Sequence, residues 1–151
     1  MLERSITLLS AFGVQQKIVL GKPDHPLGIA DPKPGAGPAA NIEAWINDHY
    51  RQASGTESLG APMRLVILPV DMPLLGVKHL QKLDAHDRGA YFDDLYLPLI
   101  ATVDRSLCCG AVRMKDLLKA LAIPAAPVPA PWREALANVN TAADLAAIKT
   151  S

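Results

Sequence analysis

The sequence predicts an α/β fold, a three-layer α/β/α sandwich around a mainly parallel sheet. Three observations predict it. Short β-branched runs alternate with stretches of helical period. The strongest apolar run, "MRLVILP" at 63–69, is continuous rather than alternating, as in a strand covered on both faces of a parallel sheet. The chain has 151 residues, half of them apolar and a fifth charged, enough for one domain with a sizeable core, so residues 1–151 are expected to form a single unit.

Leu2, Ile6 and Leu9 fall at helical spacing over 2–12, and Gly13 is placed to cap that helix. "KIVL" (17–20) reads as a strand and "PLGIA" (26–30) as a second. "DPKPGAGP" (31–38) is a loop, followed by a helix over 39–51 with Ile42, Trp45, Ile46 and His49 on one face. A polar loop at 54–62 leads into the 63–69 strand, and "VKHLQKL" (77–83) forms a short helix. One or two strands lie within 90–103 near Pro98. Residues 111–122 form a helix carrying Val112, Leu117, Leu118 and Leu121. "APVPA" (126–130) suits an edge strand, because proline cannot donate to a ladder. A last helix spans 141–149, with Thr141 and Asp144 at capping-box spacing. Right-handed crossovers then place the strand C-termini on one edge of a doubly wound, Rossmann-like sheet, where ligands bind.

Fifteen basic and fifteen acidic side chains give zero net charge, which argues against a nucleic-acid partner. No apolar run approaches the ~18 residues of a membrane span, and the N-terminus lacks a signal peptide's pattern, so a cytoplasmic protein is expected. The only cysteines, Cys108 and Cys109, are adjacent and are read as reduced thiols. No Cys/His spacing suggests zinc, and His25, His49, His79 and His86 are scattered.

One acid stands out. Asp71 follows the best strand, between Pro69 and Pro73, at the edge where ligands bind. A single carboxylate there suits Mg²⁺, which takes one or two protein oxygens and completes its shell with water and substrate phosphates. A solvated turn, or a cap for the next helix, is the alternative that this residue alone leaves open.

"P-V-D-M-P-L-L" around Asp71, the late "N-V-N-T-A-A-D-L" from Asn138, and "D-P-K-P-G-A-G-P-A-A-N-I" at 31–42 occur in one order along the chain. Together with "LPLIA" at 97–101 they resemble the molybdenum-cofactor guanylyltransferases and the wider MobA-like nucleotidyltransferase family. The resemblance implies transfer of a guanylyl or related nucleotidyl group from GTP, or another nucleoside triphosphate, to molybdopterin or another phosphorylated acceptor. It implies that Asp71 binds the catalytic magnesium, that Asn140 approaches the metal or phosphates, and that Asn138 lies on the substrate side of the same cleft. It implies that Asp31, Gly35, Gly37 and Pro38 frame the nucleotide base.

The family's leading strand and its "L-A-G-G-x-S-x-R-M-G" phosphate loop have no counterpart here, so the sheet is expected to be truncated at its N-terminal strand. Lys33 and Arg105 are the cations left to meet phosphate charge, and weak nucleotide affinity is expected. The strand edge so exposed would invite pairing with another chain, as in a homodimer. Three readings stay open: an active enzyme, a degenerate member that binds a nucleotide, cofactor or partner without catalysis, and a gene whose start lies upstream.

Overall fold

A computed structural model describes residues 1–53, 62–107 and 110–138. Helix α1 (Leu2–Phe12) leads to two short paired strands, β1 (Val19–Leu20) and β2 (Gly28–Ile29). Helix α2 (Pro38–Ala53) and strand β3 (Met63–Ile67) follow. Then come α3 (Val77–Asp84), β4 (Gly89–Phe92), β5 (Leu99–Val103), α4 (Met114–Leu121), β6 (Ala125–Ala126) and a 3₁₀ turn at Ala130–Trp132.

The larger sheet has the order β3-β5-β4-β6. β5 is antiparallel to both β3 and β4, and β6 is parallel to β4. So β3, β4 and β6 run one way and β5 alone is reversed. The three co-directional strands therefore end on one edge, at Ile67, Phe92 and Ala126. β1 and β2 form a separate parallel pair.

The pleat divides the apolar residues between two cores. Leu99, Ala101 and Val103 of β5 pack with Ile42 and Ile46 of α2 and Leu117 and Leu121 of α4. Ile100, pointing the other way, packs with Ala90 and Phe92 of β4, Leu80 and Leu83 of α3, and Leu8 and Phe12 of α1. Helices thus cover both faces, giving the expected α/β/α layers.

Local chemistry sets the boundaries. Gly13, at φ 99°, ends α1 in the left-handed conformation, and the Val14 N–H returns to the Leu9 carbonyl. Pro38 opens α2, where its missing N–H costs nothing. Gly89 enters β4 at φ 91°, and a Cβ there would stand 1.9 Å from the Ile100 carbonyl oxygen, so no other residue fits.

Two expectations change, and a third is narrowed. β3 is an edge strand, and none of its residues is fully buried, whereas β5 is almost wholly buried. A continuous apolar run reports what a strand can bury, not whether a neighbour is present. α4 begins only at Met114, and Val112 is 75% exposed. Its start is set where the Arg113 N–H meets the Asp116 carboxylate at 3.2 Å. The 90–103 stretch is two strands, separated by a turn with a cis Leu97–Pro98 bond. The 141–149 helix, most of the 54–62 loop and both cysteines lie outside the described residues.

Candidate functional site

A groove of about 690 Å³ opens between the two sheets. Helix α1 lines it with Leu2, Ser5, Ile6 and Leu9, and α2 with Pro38, Asn41, Ile42 and Trp45. Each set has the i, i+3, i+4, i+7 spacing of a single helical face. β1 and β3 supply the sides, and Asp31, Gly35 and Gly37 stand at its margin. Four of the residues expected to frame a nucleotide, Asp31, Gly35, Gly37 and Pro38, are therefore brought together.

The loop carrying them is held from below. Asn41 is buried at the start of α2. Its Oδ1 accepts from the Lys33 N–H at 2.7 Å, and its Nδ2 donates to the Lys33 and Gly37 carbonyls at 3.0 and 2.8 Å. Gly35 and Gly37 both have φ near 80° (77° and 87°), where a side chain would be strained. Asp31 packs its carboxylate against the Gly21 backbone, where an added Cβ would lie 3.1 Å from Oδ1.

Helix α2 anchors a second loop further along. The Glu43 carboxylate accepts from the Gly110 and Ala111 N–H groups at 3.1 and 2.6 Å. Asn47 exchanges two 2.6 Å hydrogen bonds with the Leu107 backbone. Tyr50 donates to the Val103 carbonyl; burial and then the Asp104 charge push its phenol pKa above the ordinary value. One helix thus fixes both the 31–38 loop and the loop that carries Arg105.

Asp71 lies in the turn that leaves β3 at the shared C-terminal edge. Met72, Pro73 and Leu75 are buried and hold the turn, while Asp71 itself is half-buried. Its carboxylate has no hydrogen-bond or ion-pair partner among the described residues, and Val70 just before it lines the groove. A lone oxygen donor without protein partners is the donor set that Mg²⁺ takes when phosphates and water complete the shell. No group of three or more His, Cys, Asp or Glu gathers among the described residues.

The turn is closed by His79. Its Nδ1 accepts from the Gly76 N–H at 2.9 Å, so the ring proton sits on Nε2. Nε2 is buried without a hydrogen-bond partner among the described residues, and the ring meets Trp132 edge to face at 4.7 Å. Burial, and then the Lys78 charge, lower the His79 pKa below its ordinary value. Trp132 and Leu136 enter the same core as Met72 and Leu75. The chain leading to exposed Asn138 is thereby docked against the Asp71 turn. Asn140 lies outside the described residues.

Sequence reasoning did not single out Asn41, Glu43 or Arg64. Arg64 hydrogen-bonds the Asp84 carboxylate at 2.7 Å, the Thr102 hydroxyl at 2.7 Å and the Asp87 carbonyl at 2.9 Å, tying β3 and β5 to the end of α3. An Asn just inside a helix that follows a glycine-rich loop is a signal for Asn41, since such side chains close local turns. Glu43 and Arg64 find partners 20 or more residues away, which local pattern cannot show.

No protein-family model matches the chain, and no solved structure does. A curated relative from Xanthomonas euvesicatoria pv. vesicatoria (strain 85-10), a molybdenum cofactor guanylyltransferase, is 35% identical over 109 residues. The match covers 71% of this chain and 52% of the relative, so the chain spans about half the length of the protein it matches.

Proposed function

We propose, since the chain belongs to the MobA-like nucleotidyltransferase family through its 35% identity over 109 residues to that relative, that it acts in guanylyl transfer from GTP to molybdopterin. A phosphate oxygen of the acceptor attacks the α-phosphorus of GTP, the bond to the β-phosphate oxygen breaks, and pyrophosphate leaves. The supporting observation is the loop 31–38, which Asn41 fixes at the margin of the groove, beside the edge where Asp71 emerges.

In this reading the 31–38 loop frames the guanine base. Asp71 would hold Mg²⁺, which supplies charge neutralisation on the phosphates when bound. Asn138 follows the segment that Trp132 and Leu136 dock against the Asp71 turn and would serve the acceptor, while a role for Asn140 at the phosphates rests on the family resemblance alone. Lys17 in the groove and Lys33 on the loop are two nearby cations. Transfer of this kind depends mainly on positioning and charge stabilisation, so the rigid anchoring of both segments matters more than any single acid or base. Among the described residues no helix is long and apolar enough to cross a membrane, and the reading places the reaction in the cytoplasm.

Calorimetric titration with GTP, CTP and ATP, each with and without Mg²⁺, tests this. Saturable, Mg²⁺-dependent binding that prefers GTP is expected. Failure of all three to bind would overturn it.

A further inference from the structure

His79 touches two parts of the candidate site at once, and we propose that it is a positioning residue that locks the Asp71 turn to the segment carrying Asn138, so that the two move as one unit. The link is a matter of packing; its bearing on the reaction rests on the nucleotidyl-transfer reading above. The cap of α3 is unusual. His79 is the third residue of the helix, and its Nδ1 accepts from the N–H of Gly76, the residue before the helix, at 2.9 Å. Glutamate or glutamine ordinarily fills that place in a capping box. Either would serve Gly76 as well, so the cap alone does not require an imidazole.

The other nitrogen supplies the reason. With Nδ1 accepting, the ring proton is on Nε2. His79 is only 1% exposed, and Nε2 has no hydrogen-bond partner among the described residues. A buried N–H is costly unless something receives it. Beside the ring is Trp132, whose plane stands at 87° to it with centroids 4.7 Å apart. That arrangement lets an N–H edge meet the negative face of the indole. The Lys78 ammonium lies 5.9 Å from the centre of the same indole, and Phe92 meets it at 89° and 6.2 Å. The start of α3 therefore holds Trp132 by two neighbouring side chains.

Each partner of His79 is tied in turn to one side of the site. Gly76 ends the turn that leaves Asp71, in which the Leu75 N–H returns to the Met72 carbonyl. Trp132 opens a helical turn. Its carbonyl accepts from the Leu136 N–H at 3.0 Å, and the Ala137 N–H returns to the Glu134 carbonyl at 3.2 Å, just before Asn138. One imidazole thus joins the acid that follows β3 to the asparagine that follows the 3₁₀ turn.

His79→Gln keeps an acceptor for Gly76 and removes the edge presented to Trp132. In the ligand-free full chain, hydrogen exchange of the Leu136 and Ala137 amides should accelerate about two- to tenfold, while the Gly76 amide holds. In a Trp132→Leu background the same substitution should add nothing. In the wild type, NMR of nitrogen-labelled histidine should find a slowly exchanging Nε2 proton shifted upfield by the indole, and Trp132→Leu should abolish that shift. Mg²⁺ with GTP, added as the probe, should slow Leu136 and Ala137 in the wild type and leave them unchanged in His79→Gln, although calorimetry should show both proteins binding it. Equal acceleration in the two backgrounds, or an Nε2 proton with no upfield shift, would overturn the proposal. Equal protection of Leu136 and Ala137 by GTP in both proteins would overturn it as well. Absence of GTP binding by the wild type would defeat the nucleotidyl-transfer reading instead, and the ligand-free comparison would still decide the link.

Discussion

Replacing Asn41 with alanine removes three hydrogen bonds at once and leaves the helix around it intact, because alanine is the better helix former. A net hydrogen bond contributes about 0.5–1.5 kcal/mol. The released Lys33 and Gly37 groups lie in exposed loop residues and can turn to water. The cost should therefore stay at the lower end, about 1–3 kcal/mol in all. For a chain of this size that is a fall in Tm of roughly 2–12 °C. The same change frees the 31–38 loop, so exchange of the Lys33 amide should accelerate well beyond the global effect. Asn41→Asp separates the causes. It keeps an acceptor for the Lys33 N–H but turns a carboxylate toward two carbonyl oxygens, and should cost at least as much. Thermal melts and hydrogen exchange on the three proteins provide the assay. An unchanged Tm with an unchanged Lys33 exchange rate for Asn41→Ala would refute the claim that this side chain holds the loop.

Gly89→Ala places a methyl group 1.9 Å from a carbonyl oxygen at positive φ, and should lower the unfolding free energy by more than about 2 kcal/mol in denaturant titrations. Arg64→Lys keeps the charge but loses the planar fork that serves Asp84 and Thr102 together, at a cost of about 1–2 kcal/mol measured the same way. His79 is buried as the neutral ring and its pKa is depressed, so the unfolded chain takes up its proton first. Its contribution to stability is full above the ordinary histidine value of about 6.5 and is lost as pH falls through the lower folded-state value. His79→Asn retains an acceptor for the Gly76 N–H without titrating, so its stability should fall less than the wild type's between pH 7 and pH 5.

Most elements could be read from the sequence because their signals are local. The Gly13 cap, the glycine-proline loop before α2 and the apolar face of α2 each follow from residues within one or two turns. Asp31, Gly35, Gly37 and Pro38 were named as a group through the resemblance of the 31–42 motif to the family's loop, and the structure brings them to one margin. The exposure of β3 was not legible. "RLVIL" carries the composition of a central strand, and whether a neighbour lies beside it depends on residues far away in sequence. The start of α4 was missed because Val112 fits the helical period, yet the backbone begins to wind only where Asp116 can cap Arg113. The long-range anchors Glu43, Asn47 and Arg64 connect segments 20 to 68 residues apart, beyond the reach of any periodicity.

The central claim is that Asp71 serves a metal-bound nucleotide at the end of β3. Calorimetry of GTP with Mg²⁺, on the wild type and on Asp71→Asn, tests it most directly, with thermal melts alongside. Asparagine preserves the shape and suits a turn equally well, and Asp71 has no protein partner to lose among the described residues, so Tm should hold within about a degree. The account predicts Mg²⁺-dependent GTP binding by the wild type that falls at least tenfold in the variant. Equal binding by both proteins, at equal Tm, would show Asp71 to be a turn residue and contradict it.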